Sequence, residues 1–176
     1  MSIGLLILRV VVGVLFIGHG TQKLFGWFGG YGPEGTGGFL ETLGYRRGRQ
    51  LAIVTGLAEA GGGLLLAVGL VTPLAAAAII GVMVNASIAA HLPNGLWNDR
   101  RGYELPLLFA TAATALAFTG PGRWSIDNVI GLNWQGVWWG VAGLGLGIGA
   151  AVAALSIRRP QPAVTQPDTG ENAQAA

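Results

Sequence analysis

Ionisable and amide side chains interrupt runs of sequence that are otherwise apolar. Arg9, His19, Gln22 and Lys23 lie within Leu5 to Trp27, LLILRVVVGVLFIGHGTQKLFGW, and Glu59, Asn85, His91 and Glu104 punctuate the later runs. Groups of this kind are costly in hydrocarbon and mark function. Histidine passes protons near neutral pH, a paired carboxylate orients it, and a cation holds an anion or neutralises a carboxylate. The chain has no cysteine, which removes disulfides, iron–sulfur ligation, thiolate metal sites and any dithiol relay within it. No metal site is assigned.

The elements that must position these groups are helices. On a helix Arg9, Phe16 and Lys23 recur every seven residues, Gly13 and Gly20 flank the same stripe, and His19 sits one step round from Lys23. The chain is 52% hydrophobic and only 10% charged, with a mean hydropathy of +0.57. That is too little polar surface for a soluble globule, so the fold class is all-α and membrane-embedded. Apolar runs extend over Ile3 to Phe25, Leu51 to Val71, Leu74 to His91, Glu104 to Thr119 and Val137 to Ile157, the fourth short enough to need a thinned or tilted arrangement. The first lacks a basic leader and a small-residue cleavage site, so it reads as a span rather than a signal peptide. A net charge of +2 without a basic stripe excludes a nucleic-acid partner.

Lys23, Arg46, Arg47, Arg49, Arg100, Arg101, Arg158 and Arg159 map to one side of these spans and Arg123 to the other. The positive-inside rule then predicts a multi-pass cell-membrane protein with its N-terminus outside and its C-terminus in the cytoplasm. Between the first two spans, Thr36 to Gly44 carries Phe39, Leu40 and Leu43 on one helical face, with Gly44 placed to end it. This piece suits the membrane surface. Gly30-x-Gly32-x-x-Gly35 matches a dinucleotide fingerprint but lacks a βαβ setting and contains Pro33. Asn85-Ala-Ser87 matches a glycosylation acceptor but falls inside an apolar run. Gly69-Leu-Val-Thr72-Pro73 predicts a tight hairpin in which Gly69 closes one helix and Thr72 caps the next. A carboxylate at Glu104 suits a helix N-terminus.

Counting 1.5 Å per residue from the basic side puts His19, Glu59 and Asn85 within roughly 9 to 13 Å of that surface, with Thr111 and Thr114 in the same layer. Arg9 starts deeper, and the expectation is that its side chain reaches Glu59 to form an intramembrane ion pair, with His19 and Asn85 sharing its hydrogen bonds. Lys23, His91, Asp99 and Glu104 sit nearer the surface. His19 and His91 differ in depth by roughly 6 Å, which disfavours coaxial haem ligation.

Together Leu8-Arg9-x3-Gly13, His19-Gly20-x-x-Lys23-Leu24-Phe25-Gly26, Gly38-Phe39-Leu40, Glu59 with its glycines, Thr72-Pro73, His91, Glu104 and Gly120-Pro-Gly-Arg-x-Ser-Ile-Asp127 resemble the DoxX family of small membrane proteins. The resemblance covers about Ile3 to Ile130. It implies a four-helix bundle over residues 1–132, to which residues 133–157 add a fifth C-terminal transmembrane helix and residues 158–176 a disordered cytoplasmic tail. Relatives include subunits of a thiosulfate:quinone oxidoreductase, and a membrane partner of superoxide dismutase and a sulfurtransferase. The function expected on that basis is a membrane subunit of a quinone- or sulfur/thiol-linked oxidoreductase system. Arg9, His19, Lys23, Glu59, Asn85, His91 and Glu104 would form the site, quinone would be the cofactor, and soluble or membrane oxidoreductase subunits would be the partners. The alternative is a non-enzymatic scaffold or small-solute carrier in which the same charges fix helix register. Gly143-xxx-Gly147 and Gly145-xxx-Gly149 offer a close-contact face for a homo-oligomer through the fifth span.

Overall fold

The computed structural model describes residues 2–159, so residues 160–176, most of the tail, lie outside the described residues. All the regular structure among them is helical: α1 (Ser2–Phe25), α2 (Gly32–Thr42), α3 (Gly48–Val68), α4 (Thr72–Ala86), α5 (Glu104–Thr119), α6 (Ile126–Val129) and α7 (Val137–Ser156). α1, α3 and α7 are each long and apolar enough to cross a membrane, as is α4 with its continuation to Asn94. α5 is the shorter apolar helix. The expected all-α membrane fold is therefore present, and the short helix expected over Thr36 to Gly44 is α2, which starts earlier at Gly32 and ends at Thr42 with Leu43 as its C-cap.

α1 and α3 run antiparallel and nearly touch through their backbones. A β-carbon at Gly13 would strike Gly63 O and Ala67, and one at Gly20 would strike Gly56 O and Ala60. With no hydrophobic drive between helices in lipid, such small-residue seams supply the van der Waals contact that holds spans together. α4 is the central helix, packed against α3, α5 and α7. Its Ala75, Ala76, Ile79 and Ile80 join Phe16, Leu66, Leu116 and Ala117 in the buried core. α7 seats Gly143 against Pro73 O and Gly147 against Ile80, whereas Gly145 and Gly149 meet nothing within 4 Å. The Gly143–Gly147 row is thus consumed within the chain, and only the Gly145–Gly149 row faces outward. At the end of α7, Arg159 N donates to Gly44 O at 2.8 Å and Arg158 Nε to Leu43 O, tying the start of the tail to the α2–α3 turn.

The α3–α4 hairpin departs from expectation in one detail. Gly69 closes α3 in the left-handed region, φ 68°, with Leu70 N bonded to Leu65 O at 2.9 Å, as predicted. The N-cap of α4, however, is Val71, itself left-handed at φ 46°. Thr72 belongs to the helix, and its hydroxyl donates at 3.1 Å to Asp127, a carboxylate delivered by α6 from a distant segment. Asp127 also accepts from Val71 N at 2.8 Å and Thr72 N at 3.2 Å, so the first backbone donors of α4 are satisfied in trans.

Candidate functional site

The antiparallel register of α1 and α3 decides which charges can meet. Gly20 lies against Gly56 and Ala60, Gly13 against Gly63 and Ala67, and Arg9 against Gly69. Glu59 therefore sits beside His19, about ten residues or 15 Å along α1 from Arg9. The expected Arg9–Glu59 ion pair does not form. Instead Lys23 Nζ donates to Glu59 Oε2 at 2.6 Å, the lysine side chain 26% exposed and the carboxylate 2%. Lys23 sits within a turn of the end of α1 and reaches inward along the seam rather than out to the surface.

Arg9 belongs to the opposite end. It is 2% exposed, donates through Nη1 to Ala67 O, and leaves Nε with no partner. The charge acting on it is Asp127, across the Gly69 turn and beyond ion-pair contact. The single polar layer expected from counting depths is thus two clusters, one at each end. We call them the turn end (Arg9, Asp127, Thr72) and the site end (His19, Lys23, Glu59, Asn85, His91).

The site end encloses a cavity of about 320 Å³ between α1, α4 and α5, roofed by α2. Its polar lining includes His19, Lys23, Glu59, Asn85 and His91, set in a wall of Phe16, Phe39, Leu40, Leu43, Met83 and Phe109. Phe16 and Phe109 meet edge to face at 5.3 Å across the α1–α5 gap. Five of the seven expected site residues are therefore together. Arg9 is absent, and Glu104 acts one step removed: its Oε2 accepts from Asn98 N at 2.9 Å, fixing the loop whose Asn98 and Gly102 line the mouth. Thr111 and Thr114 bond back to Leu107 O and Ala110 O of their own helix and do not reach the cavity.

Local backbone form positions the histidine at the mouth. α4 widens into a π turn over Ser87–His91 before a tight turn at Leu92–Asn94, and such single π turns recur at functional sites. His91 Nδ1 lies 2.7 Å from Arg101 O, a carbonyl that can only accept, so Nδ1 carries the proton it donates and Nε2 is the nitrogen left without that tie. His19 Nδ1 lies 3.3 Å from Gln22 Oε1, a looser constraint. Asn85 Oδ1 accepts from Tyr45 Oη at 3.0 Å, while its Nδ2 is buried with no partner.

Tyr45, Asn98 and Asp127 carry polar contacts that sequence reasoning missed. Tyr45 had a signal, a phenol next to the basic pair Arg46-Arg47, since a tyrosine at a membrane boundary keeps one end wet. Asp127 had a weaker one, an acid two residues after Ser125 in a turn. Among the described residues, no three His, Asp or Glu side chains converge as a metal ligand set.

A protein-family model described as DoxX matches residues 4–92, just over half of the chain. An uncharacterized membrane protein of Mycobacterium tuberculosis is 29% identical over 131 residues, covering 69% of this chain and 77% of its own length. The inner membrane protein YqjF of Escherichia coli is 29% identical over 133 residues, covering 76% of this chain and 96% of its own. No solved structure matches the chain.

Proposed function

The chain belongs to the DoxX family of membrane proteins, and we propose that it serves as the membrane subunit of an oxidoreductase system, holding a quinone head group in the site-end cavity. The observation that carries this reading is the composition of the cavity lining: apolar and aromatic over most of its area, with a buried carboxylate held by a lysine, two histidines and an amide placed between the interior and the mouth. Ligand pockets have this build, mostly apolar with a few placed polar groups. The donor set fits a dicarbonyl ring. Lys23 Nζ and the orphaned Asn85 Nδ2 are donors for carbonyl oxygens, and the Phe16–Phe109 pair forms part of an apolar wall against which a flat ring can lie.

A bound quinone supplies two-electron, two-proton chemistry, with a partner subunit as electron donor or acceptor. The chain's own contribution is positioning and proton handling. His91 Nε2 at the mouth exchanges protons with water, Glu59 inside takes or releases them, and Lys23 holds the Glu59 carboxylate in place. A carrier reading draws less support, because the turn end is closed by the buried Arg9 and Asp127 rather than opened toward the cavity.

The test is a quinone titration with redox-difference spectra on the purified protein, alone and with its membrane neighbours. Saturable binding by the wild type, weakened at least tenfold by Glu59→Gln, is expected. Colourless, quinone-free protein in both settings overturns the reading in favour of a scaffold.

We propose that the site end faces the cytoplasm, because Lys23, Arg46, Arg47, Arg49, Arg100, Arg101, Arg158 and Arg159 belong to that end and Arg123 to the turn end. A reporter fused after Ala176 is expected to be active only as a cytoplasmic enzyme. Activity of a reporter that matures only outside the cytoplasm reverses the orientation.

A further inference from the structure

α3 and α7 both pack on α4 but share no extended seam. Between them runs a second cavity of about 200 Å³, floored by Ala77, Ala78 and Gly81 and walled by Val54 and Ala154. It is almost wholly apolar. It also shares part of its lining with the site-end cavity, since Leu40, Thr55, Val82 and Asn85 border both. One side of the four-residue partition therefore faces the polar cavity and the other faces the lipid-exposed gap between two spans. The volume exceeds the ~150 Å³ apolar cavity that holds a benzene ring. Small residues across three helices keep it open, where a leucine at any of several positions would close it.

The partition has an unusual member. Asn85 spends its carbonyl on Tyr45 and leaves a buried Nδ2 unpaired among the described residues, a desolvation cost that an acceptor from a ligand would remove.

We propose that the α3–α7 groove takes the hydrocarbon tail of the ligand whose head occupies the site-end cavity, with Asn85 at the head–tail junction and Leu40 and Thr55 yielding to let the chain pass. This rests on the quinone reading of the cavity. A ligand with a long apolar tail dissolves in the bilayer and must enter sideways. A gap between spans that borders the head-group cavity is the route such a ligand requires, whereas a small polar solute needs none. Because lipid is as apolar as the groove, the tail gains little from burial itself. The groove's consequence is where the tail lies.

The experiment reads position. Full-length protein in nanodiscs is irradiated with a benzoquinone bearing a diazirine on a decyl tail, and adducts are mapped by mass spectrometry. Binding of a tailless benzoquinone is followed separately by tryptophan quenching. Adducts are expected at Ala58, Ala78 and Ala154, which line the groove, at least fivefold above the outward-facing Val11 and Val14, and removed by excess unlabelled decyl quinone. Ala154→Leu, on the groove's rim, is expected to abolish these adducts while leaving tailless binding within twofold. Even labelling of groove and outward positions overturns the groove assignment. So does equal groove labelling by a headless diazirine fatty acid that decyl quinone does not compete away, which would make the occupant ordinary lipid. Either result with intact tailless binding leaves the cavity reading standing, whereas failure of both quinones to bind overturns the two together.

Discussion

The two ends of the bundle each bury charge, and they do so in opposite ways. At the turn end Asp127 is fully buried and every acceptor bond it makes goes to the start of α4, so the carboxylate is a fixed structural part. At the site end Glu59 is nearly as buried, yet its one hydrogen-bond partner is the flexible, quarter-exposed Lys23, and it borders open volume. A buried charge tied down on all sides contributes rigidity. One tied by a single mobile partner next to a cavity can exchange that partner for a ligand or a proton. The same residue types therefore do different work, and the difference lies in how many of their bonds are to backbone.

The comparison is sharpest if broken at Asp127. Asp127→Ala leaves the donors of Val71 and Thr72 without their acceptor and removes the charge facing Arg9, and a loss of about 3–5 kcal/mol in unfolding free energy is expected. Denaturation in mixed micelles measures it. Arg9→Met combined with Asp127→Asn is expected to couple by about 1 kcal/mol, while Arg9→Met with Glu59→Gln is expected to add within ~0.5 kcal/mol, as distant sites do. Coupling of Arg9 to Glu59 as large as to Asp127 would merge the two ends into one network.

The next effect belongs to the turn that closes α3 beside Arg9. Gly69→Ala places a β-carbon at φ 68° within 2.6 Å of Ser125 and 2.7 Å of the Arg9 guanidinium, and a cost of about 2–3 kcal/mol is expected. Gly61, on the same helix, meets nothing within 4 Å. Gly61→Ala is expected to stabilise by about 0.5–1 kcal/mol through helix propensity. Equal shifts for the two variants in thermal melts would mean the Gly69 turn is not the rigid part described.

At the site end the expected signature is asymmetry. Lys23→Met leaves Glu59 buried without its partner and is expected to cost about 2 kcal/mol, whereas Glu59→Gln leaves a lysine able to swing to water and costs about 1 kcal/mol. Both variants are expected to lose quinone binding, so affinity and stability separate here as they do not at the turn end. Melting curves and titrations on the same samples check this.

Much of this was legible in the residues. The spans, the hairpin glycine, a short helix around Phe39 and Leu40 and five members of the cavity followed from hydropathy, small-residue spacing and the cost of charge in lipid. Partner choice did not. Depth counted from the ends of apolar runs started the second span at Leu51, whereas α3 begins at Gly48. The register that aligns Glu59 with His19 is set by glycine contacts between helices, a three-dimensional property that counting along one chain does not contain. Asp127 was hidden for a related reason: its role is to cap a helix that begins 55 residues earlier in sequence, and no local pattern records such a pairing.

The smallest expected effect comes from a pair outside both ends. Glu34 on α2 accepts from Arg49 Nε on α3 at 2.8 Å, but the side chains are 72% and 60% exposed. The Arg49 hydrogen bond, with help from the local backbone, holds the Glu34 carboxyl below its ordinary value of 4.5. A carboxylate whose folded value is depressed contributes fully above its unfolded value, and loses that contribution as pH falls through the folded one. From pH 8 down to about pH 6, then, Glu34 stays ionised in both states and the pair adds no pH dependence. Its effect fades only in acid below 4.5. Solvent and salt screen so exposed a pair, and Glu34→Gln is expected to leave the melting temperature unchanged at pH 7 and the quinone affinity within twofold. If Glu34→Gln instead lowers affinity as Glu59→Gln does, α2 is a working part of the cavity rather than its roof, and the site end must be redrawn to include the surface helix and the Arg49 end of α3.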